Sequence, residues 1–118
     1  MTHVVTARCL DCRYTDCCVV CPVQAFHKLD DPAMLVIDPG VCIDCMLCVP
    51  ECPVHAIYAD HELPAHYAEW KDFNAQLFAA GPMLDKKEDA MAGAKNLEQI
   101  KASEVAAGWT PVEPQNAP

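Results

Sequence analysis

Short apolar runs separated by turn residues fill the first half of the chain, and a helical periodicity replaces them after residue 60. His3-Val4-Val5-Thr6, Ala25-Phe26-His27, Met34-Leu35-Val36-Ile37 and Ala56-Ile57-Tyr58 are rich in β-branched and aromatic side chains, the composition that suits strands. They predict two small antiparallel hairpins bracketing whatever lies between them. Asp30-Asp31-Pro32 and Asp38-Pro39-Gly40 separate the runs. There Asp can bond its own backbone, Pro fixes φ and Gly permits positive φ, so both read as turns. From Pro64 onward Tyr67, Trp70, Phe73 and Leu77 fall at three- and four-residue steps, predicting an amphipathic helix over 66–79 that stops near Gly81-Pro82. Ala94, Leu97, Ile100 and Val105 predict a second helix over 94–107 with Gly108 as its cap. Three prolines and little apolar content make 110–118 an extended or mobile tail.

The apolar runs frame an internal repeat. Cys9-Leu-Asp-Cys12 up to Cys21-Pro22-Val23-Gln24-Ala25-Phe26 mirrors Cys42-Ile-Asp-Cys45 up to Cys52-Pro53-Val54-His55-Ala56-Ile57, which implies a pseudo-twofold domain. All nine cysteines lie between Cys9 and Cys52. No leader-like or membrane-spanning run is present, so the chain reads as soluble and cytoplasmic, where thiols stay reduced. An odd, dense cysteine set in that setting points to metal before disulfides. The histidines His3, His27, His55, His61 and His66 are scattered without zinc-like spacing and read as strand or surface residues.

Charge narrows the partners. The formal net charge of −9 is shared between residues 1–60, with eight acids and three bases, and residues 61–118, with nine acids and five bases. Nucleic acid, which demands a basic face, is excluded on this balance. A protein partner with a basic docking patch fits it, because opposite fields speed encounter and orient the pair. Only four glycines are present and no nucleophile–base pair or phosphate-cradling loop appears, so the chain is not read as an enzyme.

The run Cys42-x2-Cys45-x2-Cys48-x3-Cys52-Pro53 is the spacing that seats a cubane iron–sulfur cluster, with the fourth cysteine ligating a second cluster. Applied to both repeats, the rule gives Cys21, Cys42, Cys45 and Cys48 to a 4Fe-4S cluster and sends Cys52 to the other site. The first repeat departs from this spacing, with four residues between Cys12 and Cys17, so one of its cysteines should drop out. Together with Cys9-Leu-Asp-Cys12-Arg-Tyr14-Thr15-Asp16-Cys17, Cys21-Pro22-Val23 and Val36-Ile37-Asp38-Pro39, this pattern resembles the seven-iron bacterial ferredoxins over about the first sixty residues.

The resemblance implies an α+β, pseudo-twofold dicluster fold over 1–60 and a C-terminal helical extension over 61–118 packing on it. It also implies a 3Fe-4S cluster held by Cys9, Cys17 and Cys52, with Cys12 left as a thiol near the site. The competing arrangement is a second 4Fe-4S cluster completed by Cys12. Asp16 matches a position associated with proton transfer to the reduced 3Fe cluster, and equally suits a solvated turn acid. Cys18 does not fit the repeat register and reads as a small buried residue. The function implied is single-electron transfer by a monomeric carrier to and from redox enzymes; an iron–sulfur sensor and an electron-input subunit of a larger oxidoreductase are the rival readings. So small a domain would depend on metal to fold.

Overall fold

The computed structural model describes residues 2–10, 12–30, 33–43, 47–112 and 114. Asp31 and Pro32 of the first predicted turn, Cys45, and residues 113 and 115–118 of the tail lie outside them.

Four short strands form where the apolar runs lie: β1 (His3–Val5), β2 (Phe26–Asp30), β3 (Ala33–Ile37) and β4 (Ile57–Ala59). They make two antiparallel two-stranded sheets. Among the described residues, β2 and β3 form a hairpin, in the register Phe26 opposite Ile37 through Asp30 opposite Ala33. The second expected hairpin is instead a long-range pair, β1 with β4, placing His3 opposite Ala59 and Val5 opposite Ile57. That pairing closes the repeat on itself: the strand entering the first module is fixed by the strand leaving the second.

The backbone repeats as the cysteines do. Thr6 N–H donates to Ala56 O and Asp38 N–H to Ala25 O, both at 2.8 Å. These are corresponding bonds in the two halves. Gln24 and His55, each three residues after a Cys-Pro cysteine, both sit in the left-handed region with φ of 55° and 50°. The two modules therefore turn back into their strands in the same way. Asp38 also caps its own turn, with Oδ1 accepting the Gly40 N–H at 2.8 Å.

Between the sheets lies a core of Val5, Phe26, Met34, Leu35, Val36, Ile37, Val54 and Ile57, all essentially inaccessible to solvent. Such close-packed apolar burial is what fixes the strand faces.

The predicted helix over 66–79 is present but segmented. A 3₁₀ turn at Ala65–Tyr67 precedes α2 (Trp70–Leu77; α1 is Asp16–Val19), and a second 3₁₀ turn at Phe78–Ala80 ends before Gly81. Tyr67 is buried and Trp70, Phe73 and Leu77 pack against the core. The residue at the centre of this face is polar, however: Asn74 is 2% exposed.

After α2, residues 82–84 run beside β2. Lys28 N–H donates to Pro82 O and Leu84 N–H to Phe26 O, both at 2.9 Å. The last helix, α3, spans Leu97–Ala106, and Asn96 and Gln99 form a reciprocal capping box at its start. It ends in a Schellman motif: Gly108 has φ of 87°, its N–H reaches Val105 O, and Trp109 N–H reaches Glu104 O. Ile100 faces the core as expected. Val105 does not, being 62% exposed; the other buried residue is Glu104. Beyond α3 the Tyr58 hydroxyl donates to Val112 O.

Among the described residues, no helix is long and apolar enough to cross a membrane.

Candidate metal centre

Among the described cysteines, two groups form across the repeat. Cys21 of the first module shares an apolar cavity with Cys42 and Cys48 of the second, walled by Val23, Phe26 and Ile37. Cys52 of the second module belongs with Cys9 and Cys17 of the first, and all three are at most 5% exposed. Burial raises the Cys9 thiol to about 12, with Cys52 beside it adding to the effect. Cys17 is raised well above its ordinary value by burial and then by Cys52 and Cys9. Thiols so placed stay protonated unless a cation compensates the thiolate, so binding iron here releases protons.

Backbone N–H groups aim at these sulfurs. Ala25 N–H donates to Cys21 Sγ and Ala56 N–H to Cys52 Sγ, each at 3.3 Å, four residues on from its cysteine. The first cysteines are served crosswise: His3 N–H in β1 donates to Cys42 Sγ, and Leu35 N–H in β3 to Cys9 Sγ, both at 3.5 Å. Donors aimed at sulfur favour the thiolate and tune the potential of a cluster bound to it. Sulfur-only donors, buried or half-buried in apolar surroundings and fed by amide dipoles, fit iron–sulfur clusters. Among the described residues, no three His, Cys, Asp or Glu side chains are grouped to hold a single metal ion.

Cys18 behaves differently from these four. Its Sγ points at carbonyls, 3.1 Å from Thr15 O and 3.6 Å from Lys86 O, so the sulfur acts as an S–H donor. Burial and then Asp85 push its thiol up to about 11. Cys12 is buried near Cys9 and Cys52, and its Sγ accepts the Lys95 N–H at 3.3 Å. Asp16 begins α1, with Oδ1 3.1 Å from Lys87 Nζ on the surface.

Segment 86–95 clasps the loop between Cys12 and Cys18. Met91 N–H donates to Cys12 O, the Tyr14 hydroxyl to Lys95 O, and the Thr15 hydroxyl to Glu88 O, at 2.8 to 2.9 Å. The two extra residues of the first module are thus held by the C-terminal half.

The sequence reading missed two polar residues that support this centre. Asn74 Oδ1 accepts N–H bonds from Val5 at 3.1 Å and Ile37 at 2.9 Å, and its Nδ2 donates to Val5 O at 2.8 Å. Glu104 meets Arg8, the neighbour of Cys9, at 2.7 Å. Both lie four residues after an apolar residue of their helix's buried face, Trp70 and Ile100. A polar residue inside an apolar stripe was the available signal.

Residues 35–58 match the family described as the 4Fe-4S binding domain. Over 99 residues the chain is 39% identical to Ferredoxin-1 of Caulobacter vibrioides, covering 84% of this chain and 85% of that one. Over 74 residues it is 49% identical to Ferredoxin of Rickettsia felis, covering 62% and 66% respectively. With its cysteine sulfurs, strand frame and these relatives taken together, the chain belongs to the ferredoxin family, iron–sulfur electron carriers and not enzymes.

Proposed function

We propose that this ferredoxin is of the seven-iron type, carrying single electrons through a 3Fe-4S cluster held by Cys9, Cys17 and Cys52 and a 4Fe-4S cluster held by Cys21, Cys42, Cys45 and Cys48. The observation that carries the reading is the crossing of cysteines between modules, with Cys52 among Cys9 and Cys17 and Cys21 among Cys42 and Cys48. The longer spacing from Cys12 to Cys17, against the regular run of the second module, favours three ligands at the first site.

When bound, the clusters supply the one-electron couples. The chain buries Cys9, Cys17, Cys48 and Cys52 and directs amide dipoles at Cys9, Cys21, Cys42 and Cys52. Its surface of net charge −9 suits transient docking on redox enzymes with basic patches.

Electron paramagnetic resonance of anaerobically purified protein, as isolated and after dithionite, tests this alongside an iron count. The expected result is a 3Fe-type signal in the oxidised sample and about seven irons per chain. About eight irons and two interacting reduced 4Fe centres would make Cys12 a ligand and overturn the seven-iron assignment, leaving the carrier function intact.

A further inference from the structure

Arg8 and Glu104 form an ion pair wholly inside the protein, their side chains 0% and 3% exposed. The pair is two-pronged, Arg8 Nη2 to Glu104 Oε1 at 2.7 Å and Nε to Oε2 at 3.3 Å. The Tyr67 hydroxyl adds a 2.6 Å bond to Oε2, and His66 Nε2 lies 3.5 Å from the same oxygen. Burying two charges costs desolvation that their attraction only roughly repays, so stability alone is a weak reason for such a pair.

The placement of Arg8 supplies a better one. Its Nη1 donates to Val54 O at 3.4 Å and His55 O at 3.3 Å. The His55 carbonyl belongs to the same peptide unit as the Ala56 N–H, which donates to Cys52 Sγ at 3.3 Å. A guanidinium on the oxygen end of that peptide polarises its N–H end toward the sulfur, as hydrogen bonds in a chain polarise one another. In a low-dielectric interior the full charge of Arg8 also acts on the sulfur directly.

The pseudo-twofold sharpens the point. Arg8 directly precedes Cys9, and the residue directly preceding Cys42 is Val41. The charge serves one site and is not repeated at the other.

We infer that Arg8 is a positioning residue that raises the reduction potential of the cluster at the Cys9–Cys52 site, and that Glu104 of α3 attenuates it. The inference rests on Cys52 ligating a cluster and holds whether that cluster has three irons or four. One-electron reduction adds a negative charge, which Arg8 favours and Glu104 opposes.

Potentiometric titration followed by electron paramagnetic resonance tests this on iron-loaded Glu104→Gln and on the double variant Arg8→Gln/Glu104→Gln. The single variant should shift the potential of the Cys52-site cluster upward, by up to about tenfold in the reduced-to-oxidised ratio, or about 59 mV for one electron. The double variant should shift it downward, because the nearer charge is gone. Opposite signs are not what a loosened structure produces. If Glu104→Gln fails to load iron, the double variant, which leaves no charge of this pair uncompensated, carries the test alone. An unchanged or raised potential there, or equal shifts of the same sign in both variants, would overturn the inference. The iron count of the same samples separates this outcome from failure of the seven-iron assignment.

Discussion

Asn74 joins Ile37 across the domain, its side-chain oxygen accepting the Ile37 backbone N–H at 2.9 Å, and the same oxygen takes the Val5 N–H from the other sheet. One amide from α2 thus ties β1 to β3 at the point where each strand runs into a cysteine module. Replacing it by alanine leaves both N–H groups and Val5 O buried without this partner. At roughly 1–3 kcal/mol for each orphaned group, Asn74→Ala should lose several kcal/mol. Thermal unfolding of the iron-loaded protein measures this. Asn74→Asp, which keeps the shared acceptor, should fold better than the alanine variant; equal stability of the two would mean the acceptor role is unimportant.

How much of this was readable in the chain depends on how local the cause is. Strand positions follow from runs of a few residues, and the strands appear where the sequence puts them. The β1–β4 pairing, by contrast, joins His3 to Ala59, and nothing near either residue announces the other. The Arg8–Glu104 pair spans 96 positions. Val105 shares the helical spacing of Ile100, yet Glu104 takes the buried place because Arg8 and Tyr67 satisfy its carboxylate. A hydrophobic pattern cannot foresee a partner supplied by a turn so distant in the chain.

Gly81 offers a second test of the extension. A Cβ there would stand 1.9 Å from Lys28 O and 2.8 Å from Lys28 C, both backbone atoms of β2. The chain leaving α2 can approach the strand only because this position has no side chain; His27 Nδ1 lies 2.9 Å from Gly81 O on the same edge. Gly81→Ala should therefore push residues 81–84 off β2 and cost about 1–3 kcal/mol, the range for overpacking. Faster amide exchange at Lys28 and Leu84 than in the parent would locate the damage. Unchanged exchange at both would show that the edge adapts without separating.

Two adjacent cysteines should respond oppositely to substitution. Cys18 Sγ donates to Thr15 O, whereas Cys17 lies buried with Cys9 and Cys52. On the proposed assignment Cys18→Ala keeps its iron and loses about 1 kcal/mol or less by removal of one weak bond and one sulfur. Cys17→Ala should lose the first-site cluster, with the iron count falling from about seven to about four. Iron analysis with visible absorption reads both, and loss of iron from Cys18→Ala would move the ligand register by one residue.

The buried carboxylate also gives stability a pH dependence of defined sign. Burial alone would raise Glu104, but hydrogen bonds from Arg8 and Tyr67 and the Arg8 charge hold it below the usual carboxylate value of 4.5. A group whose pKa is lower folded than unfolded stabilises the fold fully above its unfolded pKa. That contribution disappears as pH falls through the folded value. The wild type should therefore exceed Glu104→Gln in stability at neutral pH, where the variant takes the Glu104 carboxylate from the buried Arg8 guanidinium, a loss of roughly 3–5 kcal/mol. Below the ordinary carboxylate range the wild-type side chain becomes as neutral as glutamine, so the gap should close. Because both proteins carry the same cysteines, acid loss of iron enters each curve alike, and the difference between parallel melting curves isolates Glu104. A gap that stays constant down to low pH would mean that the Arg8–Glu104 charge pair does not hold α3 to the cysteine modules.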